Sequence, residues 1–145
     1  MPKVLIVCDT RTGETRQIGE LIAEGVRMAG AEAVVKNAKS VKALADLEGF
    51  DAYVFGSATY HGDMLQGMKT LLFLGEQAGL AGKAGGAFGA YGWSGEAPER
   101  IFDTMQHIYK MKMVSGPLRL KASTIGGGIQ AAQSYGKEIT QALGS

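Results

Sequence analysis

The order of apolar and polar positions divides the chain into alternating strands and helices. Val4 to Cys8 is an unbroken apolar run, too short for a helix and suited to a strand covered on both faces. Ile18, Leu21, Ile22, Val26 and Ala29 then recur at the three-and-four spacing of one helical face, with Gly30 as the stop. Ala31 to Val35 predicts a second, weaker strand, and Ser40 to Leu47 a short helix capped by Ser40. Ala52 to Phe55 is a third strand, ending at Gly56-Ser57 and followed by a loop from Ala58 to Asp63. Met64 to Gln77 predicts a helix with Leu65, Met68 and Leu72 on one face. Lys83 to Ala90 is a fourth strand, thin because of its glycines, and Tyr91 to Ala97 a further loop. Ile101, Phe102, Met105, Ile108 and Tyr109 mark the next helix. From Met111 to Leu120 charged and apolar residues alternate, with a break at Gly116-Pro117, which fits a fifth strand at a sheet edge. Ile129, Ala132, Gly136, Ile139 and Leu143 give a closing helix after Gly126-Gly127-Gly128.

Five strands alternating with helices read as an α/β protein with right-handed crossovers. The connections are short and the chain has 145 residues, against about 250 for a closed eight-stranded barrel. The expected fold is one domain over residues 1–145: a three-layer, open, five-stranded parallel sheet. Apolar residues make up 46% and charged residues 20%, which excludes intrinsic disorder. The net charge of +1 gives no reason to expect nucleic acid as a partner. No apolar run approaches the roughly 18 residues of a membrane span. Met1-Pro2-Lys3 leads straight into the first strand, so neither signal peptide nor membrane is expected and a cytoplasmic location is. The lone Cys8 reads as a small core residue rather than a nucleophile, and His61 and His107 are too far apart in sequence to suggest a metal site.

In such sheets ligands bind beyond the carboxyl ends of the strands. That directs attention to the loops 9–15, 57–63 and 90–97. The first carries Thr10-Arg11-Thr12-Gly13-Glu14-Thr15 between a buried strand and an amphipathic helix. Unpaired amides and the helix dipole favour a phosphate there, and three threonine hydroxyls add donors. Ordinary capping by Thr12 and Thr15 explains the same residues equally well. The chain has neither GxxxxGK[ST] nor GxGxxG, so a nucleoside triphosphatase or a dinucleotide site has no support.

Thr10-Arg11-Thr12-Gly13-Glu14-Thr15 resembles the [ST]-x-T-G-x-T phosphate loop of flavodoxins, and its place after the first strand is also that family's. Gly56 to Asp63 and Ala87 to Ala97 resemble the two loops that clasp the flavin ring, the latter being especially similar to the flavodoxin-like domain of flavodiiron proteins. The resemblance covers essentially the whole chain, in the short-chain form of the family. It implies strand order 2-1-3-4-5 and FMN as cofactor. Thr10, Arg11, Thr12, Gly13, Glu14 and Thr15 would hold the phosphate. Ala58, Thr59, Tyr60, His61, Gly62 and Asp63 would line one side of the isoalloxazine ring, and Tyr91, Gly92, Trp93 and Gly95 the other. Gly62-Asp63 resembles the pair that some flavodoxins place near flavin N5, where a peptide flip at the glycine lets its carbonyl accept a hydrogen bond from the protonated N5. Trp93, the only tryptophan, suits stacking on a planar aromatic, though it could also cover the sheet end. As for its chemistry, His61 reads as a solvated loop histidine.

The function expected from this resemblance is that of a low-potential electron carrier, passing single electrons between redox partner proteins as a monomer or weak dimer. Many flavodoxins are strongly acidic, and this chain is near neutral, so a less negative second-step potential is expected here. The alternative is an FMN-dependent NAD(P)H or quinone reductase of the same superfamily, usually enlarged by insertions that this chain lacks. A signalling receiver domain would need an aspartate ending the third strand, where Phe55-Gly56-Ser57 stands.

Overall fold

The structure, a computed structural model, describes residues 2–11, 13–60, 63–90, 96–120 and 127–143, and of Tyr60 the backbone alone. In chain order the elements are β1 (Lys3–Asp9), α1 (Glu14–Met28), β2 (Glu32–Asn37), β3 (Ala52–Ser57), β4 (Thr59–Tyr60), β5 (Asp63–Met64), α2 (Gln66–Gly75), β6 (Ala84–Ala90), α3 (Glu96–Asp103), β7 (Lys112–Met113), β8 (Leu118–Leu120) and α4 (Gly128–Leu143). The main sheet is parallel and runs β2-β1-β3-β6-β7, with β8 also on β6. This is the order 2-1-3-4-5 expected from the sequence, with β7 and β8 as two pieces of the fifth strand.

The alternation of side chains along a strand sorts the core into two layers. Leu5, Val7, Tyr53 and Phe55 face α2 and α3, packing with Met68, Leu71, Ile101 and Met105. Val4, Ile6, Cys8, Val54 and Phe88 face α1 and α4, packing with Ile18, Ile22, Val26, Ala132 and Ile139. On this second face α1 and α4 approach very closely. A Cβ on Gly25 would lie 1.9 Å from the Gln133 carbonyl oxygen, and one on Gly136 would lie 2.1 Å from that of Ile22.

The fifth strand departs from the continuous run expected over Met111 to Leu120. β7 pairs with Ala84 and Gly85, and β8 with Phe88 to Ala90. Gly116-Pro117 lies between the two pieces, where proline has no amide to give the ladder. Ala87 falls between the paired segments, and the Tyr135 hydroxyl from α4 takes the missing strand's place. It accepts the Ala87 N–H at 3.0 Å and donates to the Ala87 carbonyl at 3.1 Å. Burial drives the Tyr135 phenol up to about 12.

Three further segments differ from expectation. Ser40 to Leu47 is not a helix: Ala38–Ser40 and Leu44–Leu47 are separate 3-10 turns, and Ser40 ends the first instead of capping a helix. The Asp46 carboxylate accepts the Lys42 and Ala43 amides at 2.9 and 3.1 Å, reaching back from the 44–47 turn and holding Ala43 extended, outside a helix. The loop after β3 contains the small antiparallel β4–β5 hairpin, Thr59 opposite Met64 and Tyr60 opposite Asp63, and it delays the start of α2 to Gln66. Helix α3 passes into a π turn over Thr104–Ile108. The extra residue in that turn rotates the helical face, so Met105 is buried and Ile108 exposed.

Candidate functional site

Strands β1, β3 and β6 end at one edge of the sheet. Asp9 is in register with Ser57, the Ala58 amide donates to the Asp9 carbonyl at 3.1 Å, and Gly89 passes so close to Ser57 that a Cβ would lie 2.2 Å from the Ser57 carbonyl oxygen. The three sequence-predicted loops therefore begin on three adjacent strands, each one strand spacing from the next. Of the residues expected in them, Thr12, His61, Gly62, Tyr91, Gly92, Trp93 and Gly95 lie outside the described residues, as does the Tyr60 side chain.

The first loop turns sharply into α1. Gly13 is the residue before the helix and has φ +93°, a conformation that strains any residue with a Cβ. The Thr10 hydroxyl accepts the Gly13 N–H at 2.9 Å and closes the turn. The N-cap residue Gly13 makes no side-chain cap hydrogen bond, and Thr15 lies inside the first turn rather than at the cap. Thr15 is fully buried there, and its hydroxyl has no hydrogen-bond partner among the described residues. A buried polar oxygen without a partner is costly unless something fills the role. An α1 N-terminus with its leading amides, a turn made by glycine and a poised hydroxyl donor form a set suited to a phosphoryl group. Arg11 is exposed and Glu14 half-buried at the rim of this turn.

The second loop is held from both sides. Ser57 is fully buried; its hydroxyl accepts the Leu65 N–H at 3.0 Å and donates to the Ala58 carbonyl at 2.9 Å. The Thr59 hydroxyl accepts the Ala97 N–H at 3.1 Å, joining this loop to the start of α3 beyond the third loop. The Asp63 carboxylate accepts the Met64 N–H at 2.8 Å, bridges Lys69 at 2.8 Å and lies 3.9 Å from Arg100. The Lys69 ammonium is the main reason its carboxyl stays below the usual range, with the Met64 amide next.

Two residues of the frame escaped the sequence reading. Asp9, only 7% exposed, accepts the Met68 N–H at 2.8 Å through Oδ2, placing a carboxylate against the first turn of α2. Gly67 makes this possible, since a Cβ there would lie 2.5 Å from Asp9 Oδ2. The available signal was an acidic residue continuing an apolar strand. Cys8, beside it, is fully buried, and burial drives its thiol up to about 12, which suits the inert core role expected of it.

Comparisons with known proteins agree with this frame. An archaeal flavodoxin structure superposes with a TM-score of 0.92 at 28% identity, covering 99% of both chains. The flavodiiron protein of Giardia intestinalis superposes with a TM-score of 0.89 at 22% identity over 97% of this chain and 36% of that one, a likeness of fold. An NAD(P)H dehydrogenase (quinone) from Methylocella silvestris is 33% identical over 98 residues, 54% of this chain. This chain spans 48% of that relative's length. The model of the flavodoxin domain matches residues 5–123, and the chain accordingly belongs to the flavodoxin family.

Proposed function

We propose that the chain binds FMN at the three loops and serves as an electron carrier between redox proteins. The observation that carries this reading is the buried, unpartnered Thr15 hydroxyl beside the Gly13 turn. Thr10, Thr12, Thr15 and the amides from Arg11 to Glu14 bind the phosphate. Ala58, Thr59, Tyr60, His61, Gly62 and Asp63 lie along one side of the flavin ring, and Tyr91, Gly92, Trp93 and Gly95 along the other. Ser57 and Asp9 act through the loop backbone, holding the second loop and the start of α2 against the end of β1. With Thr59 bonded to the Ala97 amide, a shift of either ring loop is transmitted to the other. Bound FMN supplies one-electron acceptor and donor chemistry at its ring.

Isothermal titration with FMN and with riboflavin tests the reading. Stoichiometric FMN uptake is expected, with riboflavin much weaker because it lacks the phosphate. No heat with FMN refutes it. The relative named as a quinone dehydrogenase favours a second reading, an FMN-dependent NAD(P)H:quinone reductase. Continuous NAD(P)H oxidation by the FMN-loaded chain with a quinone present would replace the carrier assignment by that one. Charge transfer to an added redox protein without steady NAD(P)H turnover supports the carrier.

A further inference from the structure

Helix α2 carries a large aromatic side chain on the outside. Its inward face is Met68, Leu71, Leu72 and Gly75, yet Phe73 is 72% exposed. Across a groove of about 330 Å³ stands Ile108, 57% exposed, turned outward by the π turn. Leu72 and Tyr109 also line this groove, while Lys69 and Glu76 edge it. A contiguous apolar patch with a charged rim is characteristic of an interaction surface, whereas a single exposed apolar residue is not.

The rim charges identify the occupant. Lys69, Phe73 and Glu76 stand at the spacing of one helical face, and Glu76 keeps helical backbone angles just past the end of α2. The stripe therefore reads basic, aromatic, acidic. Reversed, it reads acidic, aromatic, basic, so it complements itself under a two-fold rotation. The midpoint between Lys69 and Glu76 falls between Leu72 and Phe73. The rotation that sets Lys69 against the second copy's Glu76 therefore also sets Phe73 against the second copy's Leu72, a groove-lining residue. A uniformly acidic or basic partner would meet one like charge in this stripe.

We propose that this groove is where a second copy of the chain docks, α2 antiparallel to α2, each Phe73 entering the other copy's groove. Lys69 keeps its bridge to Asp63 at 2.8 Å. Its side chain remains 41% exposed, and its ammonium has further donors for a second carboxylate. One helix face and one groove are smaller than an obligate interface, so the dimer forms reversibly, with Kd on the order of 10–100 μM. The docking face meets the second loop only through Met64 and through Lys69, which bridges Asp63.

Sedimentation equilibrium of the full chain across concentration tests this. Phe73→Gln, at an exposed position, should keep the wild-type melting temperature and be monomeric. Glu76→Lys should weaken association about tenfold, because both symmetry-related pairs become repulsive. Adding Lys69→Glu to it should restore association to within about threefold of wild type, since the swapped charges again oppose each other. A wild-type chain that stays monomeric to about 0.5 mM overturns the proposal and leaves the groove to a different protein. So does a Phe73→Gln variant that associates like wild type, or a double variant that associates no better than Glu76→Lys.

Discussion

Replacing Thr15 by valine changes the cofactor-free protein and the FMN complex in opposite directions. Thr15 is fully buried in the first turn of α1 and its hydroxyl has no partner among the described residues. Valine keeps the β-branched shape and has nearly the same helix propensity. In the cofactor-free chain the substitution removes a buried oxygen that no described protein group pairs, and leaving such an oxygen unpaired costs about 1–3 kcal/mol. Stability should rise by about 1–2 kcal/mol, or roughly 3–8 °C in melting temperature for a chain of this size. With FMN the sign reverses. A hydrogen bond from this hydroxyl to a charged phosphate is worth about 1.5–3 kcal/mol, so FMN affinity should fall about ten- to a hundredfold. Riboflavin, which has no phosphate, should bind wild type and variant alike. Thr15→Ser retains the donor and should retain most of the FMN affinity. Calorimetric melts without cofactor, paired with FMN and riboflavin titrations, supply every number. A Thr15→Val chain that melts lower and binds FMN unchanged would refute the assignment of this hydroxyl to the phosphate.

Other substitutions test the frame that holds the loops. Tyr135→Phe leaves both the Ala87 amide and carbonyl, served by the phenol at 3.0 and 3.1 Å, without their buried partner; a loss of about 2–4 kcal/mol in urea unfolding is expected, and a loss below about 0.5 kcal/mol would show that another group substitutes. Gly136→Ala puts a methyl 2.1 Å from the Ile22 carbonyl oxygen, so the α1–α4 contact must open at a cost of at least about 1–3 kcal/mol; an unchanged denaturation midpoint would contradict that approach. Lys110 has φ +62°, and Lys110→Gly should stabilise the fold by up to about 1 kcal/mol by removing left-handed strain; marked destabilisation in the same assay would mean the side chain outweighs it. Folded-state titration is raised at Cys8, Tyr53, Tyr109 and Tyr135, chiefly by burial, from the ordinary 9.0 of the thiol and 10.0 of the phenols. Each group folds preferentially in its neutral form, so its stabilisation is complete below its unfolded value. It is lost as pH rises from about 9 toward 12, by up to about 1.4 kcal/mol per pH unit for each titrating group. Urea midpoints that stay level between pH 8 and 10.5 would exclude this; Cys8→Ala should delay the onset of the decline.

The layered sheet was legible because its strands and helices are buried in the pattern their residues spell. Val4 to Cys8 has to be covered on both faces, and Ile18, Ile22 and Val26 can be buried together only on a helix. The candidate loops were legible for a similar reason: in a parallel sheet the connections after β1, β3 and β6 must emerge at one edge, whatever their composition. Local pattern failed where a distant or competing group supplied the hydrogen bonds. Asp46 reaches back to the Lys42 and Ala43 amides and holds Ala43 extended, which keeps a single helix from running through Ser40 to Leu47. A phenol from α4 stands in for the middle of the fifth strand, and Asp9 reaches an amide 59 residues away. Hydrophobic spacing reports whether a segment has a face to bury. It is silent on which polar group will satisfy a given amide, because that partner is brought near only when the layers close.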